Sequence, residues 1–271
     1  MSIKVDASGR RSVQSEAVVP GTPEQVWQAI ATGPGVSSWF VPCTIEEKEG
    51  GKIVASFGPG MESTNTITAW DAPHSFSAEG SEIAPGAPVM ATQWVVEAQE
   101  GGTCIVRVVH SWFAETDEWD GQFEGTEHGW PAFFRDLALY LVHFNGQPSS
   151  TFQLMSISMD APSEAWPKMA SALGLSGETV GDKVESADDA PKVSGEIKHL
   201  TGGDHPETLL LIDQPGPGIA HFFAMPMGGM ACVSIRFFIF GDGAAETVAK
   251  EEATWNAWLA ENFPMPAMPQ G

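Results

Sequence analysis

The chain has 271 residues, of which 42% are hydrophobic and 10% aromatic, so it can bury a sizeable core and exceeds one domain of common size. Thirteen basic residues stand against 35 acidic ones, and the formal charge of −22 repels phosphate backbones and anionic lipid surfaces. This excludes nucleic acid as a main partner. The acidity is interpreted first as a source of solubility and second as a docking face for a basic protein.

The cysteines and the apolar segments favour a reducing compartment. Cys43, Cys104 and Cys232 are odd in number and far apart, so they form neither a disulfide framework nor a zinc-binding spacing. The first residues lack the apolar core of a signal peptide, and no segment approaches the ~20 apolar residues that span a bilayer. We therefore expect a cytoplasmic protein that is not inserted in a membrane.

The first half of the chain reads as a strand, a short helix, a run of strands and a long helix. After the first strand, Thr22 has the character of an N-cap and Pro23 that of a first helical residue. Short strand-like runs separated by turn signals follow over residues 44–113, which predicts an antiparallel meander. Residues 124–144 carry apolar side chains at three- and four-residue steps, which predicts a long helix.

The second half repeats this order in a shorter form. A strand-like run over residues 150–159 is followed by Pro162 and Trp166, which have the same spacing as Pro23 and Trp27. The repeated spacing predicts a second short helix after the first strand of the second half, as in the first half.

Further strand-like runs and a last amphipathic pattern over residues 245–263 complete the repeat. Residues 174–192, rich in Gly, Ser, Asp and Glu, are expected to form a mobile surface loop. The sequence thus predicts an α+β fold of two modules, residues 1–148 and 149–271. Each would be a helix-grip module, a curved antiparallel sheet wrapped around a long C-terminal helix, and the second would be shortened.

Several landmarks of the first module resemble those of a known superfamily. They are the segment from Pro23 to Trp27, Trp39-Phe40, Gly50-Gly51, Gly101-Gly102-Thr103 and Gly129-Trp130. They look like the landmarks of the SRPBCC (START-related helix-grip) superfamily, and specifically of its heat-shock-protein-ninety ATPase activator-like family. The second half looks like a degenerate repeat of the same module.

The resemblance implies an antiparallel sheet wrapped on a long helix and enclosing an apolar cavity. The superfamily contains lipid carriers, polyketide cyclases, hydrolases and chaperone co-factors, so the resemblance transfers the fold better than the function.

No assembled catalytic or metal-binding motif is present in the sequence. No histidine forms an i, i+4 pair with another His or Cys, so we predict no metal site, no cofactor and no catalytic residue. The tightest polar cluster, Glu124, Glu127 and His128, is interpreted as a solvated loop with its negative charge at a helix N-terminus. The seven histidines are His74, His110, His128, His143, His199, His205 and His221.

The aromatic residues give a better candidate site, because in this fold they would converge between the sheet and the long helix and suit an apolar ligand. His110 is interpreted either as a proton donor or acceptor for such a ligand or as a satisfied core histidine. At least half of the rings, Trp27 and Trp70 in particular, are expected only to pack the core. The predicted cavity wall consists of Trp39, Phe57, Trp94, His110, Trp112, Trp130, Phe133 and Phe134.

Three functions remain open at this stage. The first is non-catalytic binding of a small apolar ligand, or of a protein partner, by the first module. The second is an enzyme of the cyclase, dehydratase or hydrolase type in which a cavity acid or base such as His110 assists. The third is an acidic interaction protein, similar to a chaperone co-factor, whose cavity has filled in and whose charge recruits a basic client.

Overall fold

The structure, a computed structural model, describes residues 3–58, 60–80, 88–113 and 120–265, and only the backbone of residues 120–128. The chain divides into two compact units, Met1–Gly146 (unit 1) and Gln147–Gly271 (unit 2). Each unit holds one antiparallel sheet and its own helices. Among the described helices, none combines the length and the apolar character needed to cross a bilayer.

Unit 1 is an eight-stranded antiparallel sheet with two short helices and one long helix. The strand order is β1-β2-β8-β7-β6-β5-β4-β3, so the meander from β3 to β8 returns to lie beside β2. The long helix α3 lies against β2, and α1 lies against β7 and α3. In chain order the elements are β1 (Lys4–Val5), β2 (Arg10–Pro20), α1 (Pro23–Ala31), α2 (Gly33–Ser37), β3 (Cys43–Ile45), β4 (Lys52–Ser56), β5 (Glu62–Asp71), β6 (Ser75–Glu79), β7 (Ala91–Gln99), β8 (Thr103–Phe113) and α3 (Asp120–His143).

The first short helix begins where the sequence places it. Thr22 Oγ1 accepts a hydrogen bond from the backbone N–H of Gln25, and Gln25 Oε1 accepts one from the backbone N–H of Thr22. This reciprocal capping box satisfies two backbone donors at the helix start, and Pro23 needs no donor there. Further on, the Trp39 indole Nε1–H donates to the carbonyl oxygen of Ala29 at 2.9 Å, which fixes the chain after α2 against α1.

Unit 2 is a six-stranded antiparallel sheet with the strand order β10-β11-β12-β13-β14-β9. The structure thus confirms an α+β fold of two helix-grip modules with a shortened second sheet. Within the segment expected to be a loop, the chain forms the short strand β10, and Leu175 and Ala190 are buried. The elements are β9 (Ser149–Ser158), α4 (Pro162–Leu173), β10 (Lys183–Glu185), β11 (Ser194–Thr201), β12 (Glu207–Gln214), β13 (Gly218–Met227), β14 (Met230–Phe240) and α5 (Ala244–Asn262).

Aromatic rings fill the space between the sheet of unit 2 and its long helix α5. The Trp255 ring on α5 is fully buried, and its centroid lies 5.6 Å from that of Phe222 and 5.0 Å from that of Phe237. Phe152 on β9 also stacks on Phe237, with centroids 4.9 Å apart. Such spacing is that of a close-packed core.

Candidate ligand cavity

Unit 1 holds a partly open cavity of about 180 Å³ between its sheet and its helices. The wall is mainly aromatic and aliphatic, with a few polar side chains among them. Among the residues that the structure describes, those that line the cavity are Ile30, Val36, Trp39, Phe40, Cys43, Ile45, Ile53, Ala55, Phe57, Ser63, Asn65, Phe76, Ala78, Met90, Thr92, Trp94, His110 and Trp130.

The structure brings together part of the predicted wall. Five of the eight predicted residues line the cavity: Trp39, Phe57, Trp94, His110 and Trp130. The other three, Trp112, Phe133 and Phe134, do not border it. Trp27 and Trp70, expected to pack the core, lie outside the wall with their centroids 5.0 Å apart, and both contact the wall residue Phe76 from behind.

Neighbouring packing explains the three residues that do not reach the cavity. Trp112 is buried in a small cluster with Val13, against which Ile3 and the wall residue Met90 pack. Phe133 and Phe134 both contact the Trp130 ring, at centroid distances of 5.7 Å. Phe133 and Phe134 therefore pack behind the Trp130 ring and do not border the cavity.

Trp130, at the start of the described side chains of α3, is the centre of the ring cluster. It stacks on Phe40 with centroids 5.4 Å apart, and it meets the edge of Trp94 at 5.1 Å. Its neighbour on the sheet side is the five-membered imidazole ring of His110, stacked with centroids 5.7 Å apart. These contacts leave Trp130 only 8% exposed, so the ring is held from three directions.

A chain of three polar groups crosses the cavity wall from α3 to β8 and β7. The Trp130 indole Nε1–H lies 2.8 Å from His110 Nε2, and His110 Nδ1 lies 2.9 Å from the hydroxyl oxygen of Thr92. Because an indole nitrogen can only donate, Nε2 of His110 accepts, and the imidazole carries its proton on Nδ1. That proton is donated to Thr92 Oγ1, whose own hydroxyl hydrogen can then be donated into the cavity.

Burial keeps the two titratable groups in the wall neutral. It lowers the pKa of His110 from 6.5 to about 4. It also raises the pKa of the Cys43 thiol to about 11. At neutral pH the site therefore contains an uncharged imidazole and an uncharged thiol, and a charged ligand would meet no counter-charge from them.

Sequence reasoning missed several wall residues, including Phe40, Asn65 and Thr92. Phe40 directly follows the predicted Trp39, and this adjacency was the signal available for it. Asn65 and Thr92 are reached only through the strand register, in which Thr92 pairs with His110. The register is fixed by the whole sheet and cannot be read from local composition.

The predicted acidic cluster of Glu124, Glu127 and His128 falls outside the described side chains. Among the side chains that are described, no group of three or more His, Cys, Asp or Glu could hold a metal ion.

The comparisons with known proteins agree with this geometry over unit 1. Residues 10–142 match the model of a family described as polyketide cyclase / dehydrase and lipid transport. Unit 1 is thus similar to this family over residues 10–142, and its sheet and long helix agree with the helix-grip fold that the sequence predicts. The narrower resemblance to the activator-like family stays a prediction.

Solved structures similar to the chain include one that spans both units. The di-domain ARO/CYC BexL from the BE-7585A biosynthetic pathway is 14% identical and covers 95% of this chain and 100% of its own, with a TM-score of 0.44. The Aha1 dimer from Colwellia psychrerythraea is 20% identical and covers 50% of this chain and 98% of its own, with a TM-score of 0.40. CalU16 from Micromonospora echinospora is 16% identical and covers 54% of this chain and 83% of its own, with a TM-score of 0.42. No curated protein matches the sequence.

Proposed function

We propose that unit 1 binds a small, uncharged, largely apolar molecule that carries a hydrogen-bond acceptor, and that it holds this molecule without transforming it. The observation that carries the proposal is the neutral His110, both of whose ring nitrogens are engaged in hydrogen bonds. Three arguments, from size, polarity and reactivity, support it.

The volume of the cavity matches a ligand with about one aromatic ring. The cavity holds about 180 Å³, and an apolar protein cavity of roughly 150 Å³ is known to take benzene. Ligand pockets for larger molecules usually measure about 300–1,000 Å³. A fused polycyclic molecule would therefore extend beyond the cavity through its open side.

Polarity defines the orientation of the ligand. Thr92 lines the cavity, and its hydroxyl oxygen accepts a hydrogen bond from Nδ1–H of His110. The hydroxyl hydrogen of Thr92 is therefore available to an acceptor on a ligand in the cavity. A carbonyl or ether oxygen would satisfy it. A carboxylate would meet no positive charge from His110, whose pKa of about 4 keeps the ring neutral.

Reactivity argues against catalysis by the obvious candidates. A general base needs an accessible lone pair and a pKa near the working pH, and His110 offers neither, since Nε2 accepts from Trp130 and the pKa is about 4. Cys43, with its pKa at about 11, is not a thiolate nucleophile at neutral pH. Binding therefore fits the wall better than chemistry does.

The proposal is tested first with acetophenone, which has a ring and a carbonyl, against ethylbenzene, which is of similar size but lacks an acceptor. Calorimetry should detect tighter binding of acetophenone. Thr92→Val should remove that preference while leaving ethylbenzene binding in place. Thr68→Val is the matched control, because Thr68 is exposed on β5 and does not border the cavity.

Native mass spectrometry of protein from its own host, with organic extraction, would identify the natural ligand. An acetophenone preference that survives Thr92→Val would overturn the assigned anchor. Failure of both probes to bind, together with an empty protein from the host, would overturn the proposal itself.

An enzyme of the cyclase or dehydratase type is the second candidate, and it is favoured by the match of residues 10–142 to a family of polyketide cyclases, dehydrases and lipid transporters. In that case the Thr92 hydroxyl would polarise a carbonyl of the substrate and His110 would orient the hydroxyl. Conversion of a bound molecule to a product of different mass would favour this function over simple binding.

We also propose a reducing, cytoplasmic location. All three cysteines are free, and burial raises the pKa of Cys104 and Cys232 as well as that of Cys43.

A further inference from the structure

Two polar side chains of the cavity wall make no hydrogen bond to any protein group within the described residues. They are Ser63 and Asn65, which lie two positions apart on β5 and therefore point to the same side of the sheet. Both are partly buried in a wall that is otherwise mainly apolar. A polar group in such a place costs free energy unless water or a ligand satisfies it.

Asn65 is the nearer of the two to the Thr92 hydroxyl. The register places Thr92 opposite Ala78 and Ala78 opposite Ile67, so Ile67 is the β5 residue in the same cross-strand row as Thr92. Asn65 lies two residues from Ile67 along β5, and Ser63 lies four. Asn65 is therefore the better candidate for a second contact to a ligand that Thr92 holds.

The neighbouring strands leave room for the Asn65 amide but offer it no polar side chain. On β4, the residue opposite Asn65 is the apolar Ile53. On the other side, Thr66 pairs with Glu79 of β6, so Gly80 lies beside Asn65. A Cβ at position 80 would lie only 2.8 Å from Asn65 Oδ1. The amide thus occupies space that is free because residue 80 is a glycine.

Asn65 differs from Thr92 in what it offers to a ligand. The Thr92 hydroxyl oxygen accepts from His110, so its hydrogen is the group that remains for a ligand acceptor. The Asn65 amide offers both an acceptor oxygen and two N–H donors. A hydroxyl is the smallest uncharged group that can donate to the one or accept from the other.

The separation of the two polar groups indicates the length of the ligand. Thr92 lies on β7 and Asn65 on β5, with β6 between them, so their strands are about 10 Å apart. Between them β6 contributes the small, apolar Ala78 to the wall. An aromatic ring over Ala78, with an oxygen at each end and a hydrogen bond of about 2.8 Å from each oxygen, spans a length of this order.

We propose that Asn65 is a second polar anchor of the cavity, and that the ligand is a single ring with a hydrogen-bond acceptor at one end and a hydroxyl at the other. Thr92 holds the acceptor, and Asn65 holds the hydroxyl. This inference rests on the binding function proposed above and narrows its ligand class to hydroxyaryl carbonyl compounds.

Calorimetry with 4′-hydroxyacetophenone and 4′-methylacetophenone tests this anchor, because the two probes differ only in a hydroxyl and a methyl group of similar size. Asn65→Leu should lower the ratio of the two affinities by about tenfold, because the hydroxyl would then face an apolar side chain. Binding of the methyl compound should remain. Thr64→Val is the matched control, since Thr64 is exposed at the preceding position of β5 and does not border the cavity.

Gly80→Ala gives a second variant that moves the Asn65 amide without replacing it. The alanine Cβ would lie 2.8 Å from Oδ1, so the flexible end of the Asn65 side chain must shift. The backbone N–H of residue 80, which donates to the carbonyl oxygen of Met90, is kept in alanine. We expect the ratio of the two affinities to fall in this variant as well.

The outcomes separate this inference from the binding function on which it rests. A ratio that stays unchanged in both Asn65→Leu and Gly80→Ala would overturn the second anchor, while acetophenone binding that depends on Thr92 would leave the binding function in place. A ratio that falls equally in Thr64→Val would also overturn the anchor. Failure of every probe to bind the intact chain would overturn both.

Discussion

The two units use the same order of elements but differ in what occupies the space between sheet and long helix. In unit 1 the rings of Trp130, Trp94 and Trp39 surround a cavity of about 180 Å³. In unit 2 the rings of Trp255 and Phe237 lie 5.0 Å apart, within the core itself. The tryptophan on the long helix thus lines a cavity in unit 1, whereas in unit 2 it packs in the hydrophobic core.

The two tryptophans also differ in their polar contacts. The Trp130 indole N–H donates to His110, which continues to Thr92, whereas the Trp255 N–H makes no hydrogen bond that is described. A polar chain in unit 1 therefore holds its ring at a fixed distance from the sheet. Without such a chain, the ring in unit 2 is positioned by apolar packing alone.

The largest effect that we predict is the loss of either helix tryptophan. Trp255→Ala should reduce the free energy of unfolding by about 3–5 kcal/mol through the cavity it leaves, without affecting ligand binding by unit 1. Trp130→Ala should fall at the lower end of that range, because its ring already borders free space, and should abolish binding. Chemical unfolding measures the stability of the two variants, and calorimetry measures their ligand binding. Equal losses of stability, with ligand binding unchanged in both variants, would show that the two cores do not differ.

The next effect in size is the pH dependence that His110 confers on unit 1. Its folded pKa of about 4 lies below the ordinary 6.5, so protonation favours the unfolded chain. Neutral His110 thereby contributes about 3 kcal/mol to the free energy of unfolding, relative to low pH. This contribution is complete above pH 6.5 and is lost as the pH falls towards 4. His110→Gln keeps an acceptor for Trp130 but does not titrate, so the difference in stability between wild type and variant should change over this range; a constant difference would contradict the assignment.

A smaller effect should follow from removing the indole donor alone. Trp130→Phe leaves His110 Nε2 without its partner and should cost about 1–3 kcal/mol. It should also raise the pKa of His110, because the lost hydrogen bond stabilised the neutral ring. Trp94→Phe is the matched control, since Trp94 lines the same cavity without a described bond to His110. Titration of the His110 ring protons by NMR would contradict this if both variants gave the same pKa.

The smallest effect should come from separating the units. We propose that residues 1–148 fold on their own, and we expect the fragment to melt cooperatively, near the temperature at which the corresponding transition occurs in the whole chain. Aggregation of the fragment would instead indicate that the two units share buried surface. Scanning calorimetry of the fragment and the whole chain makes the comparison.

The fold was largely predictable because its signals are local. The Pro23 and Trp27 spacing, its echo at Pro162 and Trp166, and the apolar periods of both long helices are each contained in a short segment. The cavity was predictable only in part, because a wall depends on which residues meet across strands. Trp112 lies two residues after His110 on β8, yet it packs in another cluster, with Val13.

The polar chain could not have been predicted. Its members are separated by 18 and 20 residues, and they meet only because the register places Thr92 opposite His110 and α3 brings Trp130 over them. Composition identifies rings and a histidine, but the direction of a hydrogen bond follows from geometry. This is why His110 remained open between a ligand contact and a core residue at the level of sequence.

The pairing of β9 with β14 also affects how unit 2 is made. Gln153 contacts Arg236, which is 83 residues later in the chain. At a synthesis rate of about 5–20 residues per second, β9 is synthesised roughly 4–17 seconds before its partner strand. During that interval a strand without a charged residue has no partner strand on either edge. We therefore expect chains truncated before β14 to aggregate during expression and the complete chain to depend on rapid closure of its last hairpin.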